Sequence, residues 1–467
     1  MKMKNSKSNV KSSPARNARP GMSRRHFLAA SALAGVGPLI IPSRLLGGPG
    51  APSNKITLGM IGCGEHGIGT NVNGFLPQPD SQILAVCDVD SARMARAKQR
   101  VESRYAQAMT SGTYKGCDTY GDFREIIGRK DIDAAVISTP DHWHVIVSIM
   151  AARAGKDVFV EKPMTTCVED GKALCKVIAD TKKVLLVGSE QRGRAEFHLM
   201  AEIVRNGRLG KLKHIEVGMP AGFSIRGNPD DTRPQMTECD PPAQLNYDLW
   251  MGKTPVTPYF PGRTHWNWRW SSELAGGNFA DYAHHLIDIA QWAHGSEDTL
   301  AQEVEGTGTF GTEGHYHAVQ TYNCTFTFAD GVTMTCKSGS TGHRFEGTDG
   351  VLINKGWGTL SAEPASIMDF KAGSGAVKLF HPIPSPNGGG PEHRNFLDCV
   401  KSREKTYAHE GLGHRAASFA HIGTIAIKLG RKLKFDTKQE VFIGDDEANK
   451  LLSRPERDPW TIVKALS

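Results

Sequence analysis

Two short constellations in this sequence carry residue types suited to moving protons and hydride. Asp281, His285 and Asp288 stand at Asp-x-x-x-His-x-x-Asp spacing just after Gly276-Gly277. On a helix, positions i and i+4 share a face, so Asp281 and His285 would project side by side. A carboxylate beside an imidazole orients the ring and raises its basicity, which suits a general base working near neutral pH. Glu161-Lys162-Pro163 closes an apolar run. A lysine at a strand end can hydrogen-bond an oxygen on which negative charge develops. Taken alone, that lysine could equally be a solvated charge and the Asp281/His285 pair a surface ion pair.

A third pattern supplies a place for a cofactor. Gly62-Cys63-Gly64-Glu65-His66-Gly67 is a G-x-G-x-x-G that follows an apolar strand-like run and opens a helical stretch. In that context the first glycine permits the tight turn, the second lets backbone approach a pyrophosphate, and the third lets helix pack on strand. A helix N-terminus then faces the phosphate charge with free N–H groups. Asp88, 21 residues after Gly67, ends the next strand. A carboxylate there accepts from ribose hydroxyls and repels a 2′-phosphate, which favours NAD over NADP.

These residues need elements to position them. Short apolar runs at 55–61, 82–87, 133–139, 157–160 and 184–187 alternate with helical stretches at 91–109, 142–154 and 168–181. Strand–helix alternation of this length predicts βαβ units and a parallel sheet. Beyond about residue 190 the pattern changes. A helix at 195–206 and a strand at 214–218 precede an irregular, Pro-, Gly- and Trp-rich stretch, 219–272. A helix at 278–294 is followed by alternating segments at 299–310, 317–329 and 332–339, then by helices at 392–403 and 413–429 and a polar tail. The alternating segments read as antiparallel strands of a second sheet. The expected fold class is α/β: a Rossmann-type parallel sheet over 55–190, then an α+β domain over 191–467 with a large, mainly antiparallel open sheet.

With Thr139-Pro140-Asp141-His142-Trp143-His144 added, the glycine turn, Glu161-Lys162-Pro163 and Asp281-x-x-x-His285 together resemble the Gfo/Idh/MocA oxidoreductases. By motif the resemblance covers roughly residues 55–300. It implies a nicotinamide-dependent dehydrogenase acting on a CH–OH group of a sugar, glycoside or polyol. It implies Lys162, Asp281 and His285 as the catalytic set and a cis peptide at Lys162-Pro163. The cofactor set is Gly62, Gly64, Glu65, His66, Gly67, Asp88, Thr139, Pro140, His144, Glu161 and Lys162. Some relatives place a tyrosine in the base role, so Tyr282 and His284 stand beside His285 as alternative proton acceptors.

Substrate contacts are sought in Gln191, Arg192 and Arg194, after the last parallel strand, and in Trp268 and Arg269 of the His265–Trp270 cluster. Tryptophan faces stack on sugar rings, although the same cluster could simply anchor a long loop. His142-x-His144 and His284-His285 have no carboxylate or cysteine at a recognised ligand spacing, so no metal is expected. The nine cysteines are odd in number and contain no C-x-x-C, which argues against a disulfide framework.

The formal charge of +7 is concentrated at one end, because residues 1–25 hold eight Lys and Arg and no acid. The rest is close to neutral, which gives no case for nucleic-acid binding. No run is long enough to span a bilayer. Ser23-Arg24-Arg25-His26-Phe27-Leu28 and the apolar run to Ile41 form a twin-arginine pattern, so residues 1–42 read as a signal for folded export by the Tat machinery. Residues 43–54 read as a linker or arm. An exported, periplasmic or otherwise extracytoplasmic nicotinamide enzyme has no recycling pool and must hold its cofactor tightly. It must also be redox-balanced, either by a second substrate or by a redox-neutral cycle that hydrolyses a glycoside. A cofactor-bound binding protein without turnover is the reading from another class. The second sheet could pair with another copy, giving a homo-dimer or tetramer, as it does in relatives.

Overall fold

A computed structural model describes residues 54–312 and 314–467. The expected export signal (1–42) and nearly all of the arm (43–54) lie outside the described residues. Six strands form a parallel sheet: β1 (Ile56–Ile61), β2 (Ser81–Cys87), β3 (Asp118–Tyr120), β4 (Ala134–Ile137), β5 (Asp157–Glu161) and β6 (Leu185–Gly188), in the order β3-β2-β1-β4-β5-β6. β1, β4 and β5 are buried along almost their whole length because helices cover both faces of the sheet. The strand order reverses between β1 and β4. In such sheets the crevice beyond the strand C-termini at that switch point receives the ligand.

Nine strands form the second sheet: β7 (Leu212–Met219), β8 (Glu303–Phe310), β9 (Val319–Thr327), β10 (Thr333–Ser338), β11 (Gly342–Gly347), β12 (Val351–Lys355), β13 (Thr359–Glu363), β14 (Leu433–Asp436) and β15 (Val441–Phe442). Their order is β13-β12-β11-β7-β10-β9-β8-β14-β15. Pairing is antiparallel except between β7 and β10. Two helices, Gly277–His294 and Glu410–Leu429, lie against this sheet. Phe279, Leu286 and Ile289 of the first and Phe419 and Ile422 of the second share one core with Val217, Phe326 and Cys336 of the strands. Burying each large side chain of this kind stabilises by roughly 1.5–3 kcal/mol, so the helix bearing Asp281 and His285 is held on a firm base.

The chain after residue 191 is not confined to the second sheet. The helix Pro391–Ser402 sends Phe396 and Leu397 into the core under the first sheet. The segment read as a polar tail returns Trp460 to pack edge-on against Trp143. The stretch 219–272 holds no strand after Met219, but it docks on the end of β2 through an Asp90–Leu245 bridge and the bond from the Asn246 N–H to the Val89 carbonyl.

Candidate active site

The strand C-termini at the switch point border a cleft of about 1200 Å³, part of it open to solvent. Its floor is the glycine loop. Gly62 has φ +92°, and a Cβ there would lie 2.6 Å from the Ser138 backbone. At Gly67 it would lie 2.3 Å from the Gly62 carbonyl oxygen. Gly64 differs, since a Cβ would meet only an Arg93 nitrogen at 3.7 Å. Packing of the protein therefore requires the first and third glycines, while the second keeps a space clear. Asp88 stands at the mouth of β2, where its carboxylate accepts from the N–H of Cys63 at 2.6 Å and of Asp90 at 2.8 Å. Burial lifts its pKa above the usual value against the pull of those two donors. Arg93, also in the cleft wall, is engaged by Asp230 at 2.5 Å.

Glu161, the last residue of β5, is buried and joins the loop to the sheet. It pairs with His66 at 2.9 Å and accepts from Asn71 Nδ2 at 2.8 Å. Burial opposes its ionisation, but His66 and Asn71 pull its pKa down to about 2, and Glu161 in turn raises that of His66. The hydroxyl of Thr139, another lining residue, is buried without a hydrogen-bond partner. A cleared space over a glycine loop, an acid at the end of β2 and an orphan hydroxyl fit the shape and polarity of a dinucleotide.

Beyond Glu161 the Lys162–Pro163 peptide is cis. Lys162 Nζ bonds Asp281 Oδ1 at 2.9 Å, and the two side chains are only 14% and 15% exposed. Burial alone would lower the lysine's pKa, but Asp281 reverses this and keeps it charged. Lys162, with Arg269, holds the Asp281 carboxyl far below its usual range despite burial. The sequence paired Asp281 with His285; the structure gives the carboxylate to Lys162 instead. His285 Nδ1 is buried with no partner, and burial followed by the Lys162 charge lowers its pKa, so the imidazole is neutral at pH 7.

Of the alternative bases, His284 turns the other way, toward Gly413 of the helix Glu410–Leu429, and burial drops it to about 3. Tyr282 stays near the site, its ring centroid 6.1 Å from both His285 and Trp357, with its phenol pKa raised first by burial and then by Asp281.

The long loop closes the other side of the cleft. Trp268 lines it, and Arg269 stacks with Cζ 4.3 Å from the ring centroids of both Trp266 and Trp268, its Nε 3.8 Å from Asp281. Leu245, Trp250 and His265 complete that wall. His265 opens the cluster that the sequence singled out, whereas no motif marks Leu245 or Trp250.

Most other expected contacts are engaged elsewhere. His144 has both ring nitrogens 2.8 Å from backbone oxygens, of Pro163 and Thr139, so it ties the two loops together and does not line the cleft. Arg192 is buried in a fork on Asp288 (2.6 and 2.7 Å) and a bond to Glu297 (2.7 Å), which engages all three of its nitrogens. Arg194 bonds Glu196 beside it, and Gln191 Nε2 donates to Glu190 while its Oε1 stays buried without a partner. Asp288 is likewise committed to Arg192.

Comparison with known proteins agrees with this architecture. Residues 56–189 match the family model for an oxidoreductase family with an NAD-binding Rossmann fold, and residues 195–462 match that for the C-terminal alpha/beta domain of the same family. An alpha-N-acetylgalactosaminidase of Shewanella oneidensis is 32% identical over 172 residues, 36% of this chain and 35% of the relative. A glycosyl hydrolase family 109 protein of Shewanella sp. strain ANA-3 is 33% identical over 164 residues, 35% of each chain. The chain thus spans about a third of the length of the curated relatives it matches. Among solved structures, aldose-aldose oxidoreductase from Caulobacter crescentus has a TM-score of 0.55 at 18% identity, covering 82% of this chain and 100% of that one. The WlbA dehydrogenase of Bordetella pertussis, solved with NADH and UDP-GlcNAcA, has a TM-score of 0.57 at 18% identity, covering 82% and 98%.

Proposed function

The chain belongs to the Gfo/Idh/MocA oxidoreductase family, and from that premise we propose that it is an NAD-dependent oxidoreductase acting on a hydroxyl of a sugar, glycoside or polyol. The observation that carries this reading is the Lys162–Asp281 pair at the end of the dinucleotide cleft, with neutral His285 one helical turn further along. A bound nicotinamide supplies a hydride acceptor. The rest is done by the chain. His285, already deprotonated, takes the proton of the substrate hydroxyl. Lys162, kept charged by Asp281, donates to the same oxygen and steadies its developing negative charge. Asp281 fixes the lysine's position and protonation. Asp88, at the ribose position with Arg93 already neutralised by Asp230, supports NAD over NADP.

A second reading has support from the glycosidase names among the relatives. The same residues would serve a redox-neutral cycle in which a sugar hydroxyl is oxidised, a neighbouring leaving group is eliminated, water adds and the carbonyl is reduced again. The twin-arginine leader fits either reading, since an exported enzyme must carry a tightly held cofactor. We further propose that the outer face of the second sheet, where Glu216 and Lys337 pair at 2.7 Å, meets another copy; light scattering on purified protein tests this.

The deciding experiment uses purified protein with no added cofactor. Denaturation should release NAD, and near-UV absorbance of the intact protein should rise when the right free sugar is added. Glycoside cleavage without net reduction would select the hydrolase cycle. A protein that neither contains nor binds a nicotinamide nucleotide would end both readings.

A further inference from the structure

Asp141 follows Pro140 in the first turn of the helix Asp141–Arg153 and is 4% exposed. It lines the cleft together with Lys162 and Arg269, both near enough for their charges to act on it. Its Oδ1 is buried with no hydrogen-bond partner. A native protein rarely leaves a buried carboxyl oxygen in that state, because each such group costs about 1–3 kcal/mol. An orphan in the wall of a binding cleft is therefore expected to find its partner in the ligand.

Which partner depends on whether the carboxyl holds its proton. The cations near it are engaged elsewhere. Lys162 is bound to Asp281, Arg269 is stacked between Trp266 and Trp268, and Arg454 donates to the carbonyls of Ser272 and Ala275. Burial, followed by the negative charge of Asp281, raises the Asp141 pKa well above the usual value. Lys162, Arg269, Arg454 and the helix N-terminus oppose this without prevailing. Burial and the Asp281 charge thus favour the protonated form of Asp141, while Lys162 and Arg269 favour the ionised form of Asp281.

A neutral carboxyl presents a donor and an acceptor side by side on one flat edge. A primary carboxamide presents the matching edge. A ribose hydroxyl or a phosphate does not, and an ionised carboxylate could only accept. We propose that Asp141 is a cofactor-binding residue whose unpartnered carboxyl, set in the cleft wall with Lys162, pairs edge to edge with the carboxamide of a bound nicotinamide. This rests on the dinucleotide reading above. It gives the site a way to sense the nicotinamide itself, separately from the adenosine and phosphates held by the glycine loop and Asp88.

The test is calorimetric titration of nucleotide-free protein with NAD and with ADP-ribose, which lacks the nicotinamide. Asp141→Ala removes both hydrogen bonds of the edge pair and should weaken NAD about 10- to 100-fold while leaving ADP-ribose unchanged. Asp141→Asn keeps a donor and an acceptor on a neutral side chain and should bind NAD within about threefold of the parent. The parent's NAD affinity should be full below the raised carboxyl pKa and fall as pH climbs through it, while that of Asp141→Asn stays flat. The proposal is overturned if Asp141→Ala binds NAD as the parent does, or if it loses ADP-ribose in step with NAD. A parent protein that binds neither nucleotide would instead refute the dinucleotide reading on which this depends.

Discussion

Replacing Gly64 by alanine should separate folding from cofactor binding. The added methyl would lie 3.7 Å from its nearest protein neighbour, an ordinary contact, and the backbone there is outside the left-handed region. Nothing in the folded chain has to move. Gly→Ala at such a position also narrows the unfolded ensemble, so the nucleotide-free protein should gain about 0.4–1 kcal/mol. The methyl does fill the space that the loop keeps clear for a diphosphate. Losing one backbone N–H bond to a charged phosphate costs about 1.5–3 kcal/mol. NAD affinity should therefore fall roughly 10- to 100-fold. Gly67→Ala is the contrasting variant, because its methyl would lie 2.3 Å from the Gly62 carbonyl and must force the backbone apart. Thermal unfolding of nucleotide-free protein and calorimetric titration with NAD read the two quantities separately. If Gly64→Ala binds NAD as tightly as the parent, the cleared space is not a phosphate site. If it melts well below the parent, the packing argument is wrong.

The chemistry makes its own predictions. Lys162→Ala should lower kcat by about 10²–10³ with a smaller effect on KM, as expected for loss of one donor to a developing oxyanion. Asp281→Asn removes the anion that holds Lys162 charged, so activity should fall as pH rises through the lysine's newly lowered pKa, a limb absent from the parent profile. For His285 the base must be deprotonated, and its pKa is depressed. Oxidation should therefore stay at full rate down through ~6.5, the ordinary histidine value, and be lost only below it; an acid limb above that value would refute the assignment. Arg192→Ala leaves Asp288 buried without its counter-ion, and chemical denaturation should show a loss of about 3–5 kcal/mol. If instead KM alone rises and stability is kept, Arg192 is a substrate residue after all.

Much of this protein could be read along the chain because its signals are local. β1, the glycine turn, β2 and Asp88 occur within one βαβ unit, where strand and helix periodicities and a glycine spacing follow from backbone sterics. The same holds for the helix carrying Asp281 and His285. Strands β11 to β13 escaped notice because they are short and rich in Gly, charged and polar residues. Their outward faces alternate weakly, and only their neighbours in the sheet define them. The partnerships within the site were not legible either. Arg192 looks like a substrate residue until Asp288, 96 positions away, is seen to occupy its fork. His144 looks like a cofactor contact until both ring nitrogens are found on carbonyls. Asp141 sat unremarked inside a recognised motif, because burial without a partner is a property of the folded environment.

The sequence alone therefore determined the order of the elements, the glycine loop, the acid at the end of β2 and the residue types of the chemical site, since each depends on neighbours a few residues apart. The tertiary structure decided which charges meet. It gave Asp281 to Lys162, lowered the pKa of His285, raised that of Asp141 and paired Arg192 with Asp288. Those outcomes depend on burial and on distances of a few ångströms between segments as much as a hundred or more residues apart, and in the dry interior such contacts govern charge more strongly than chain order can.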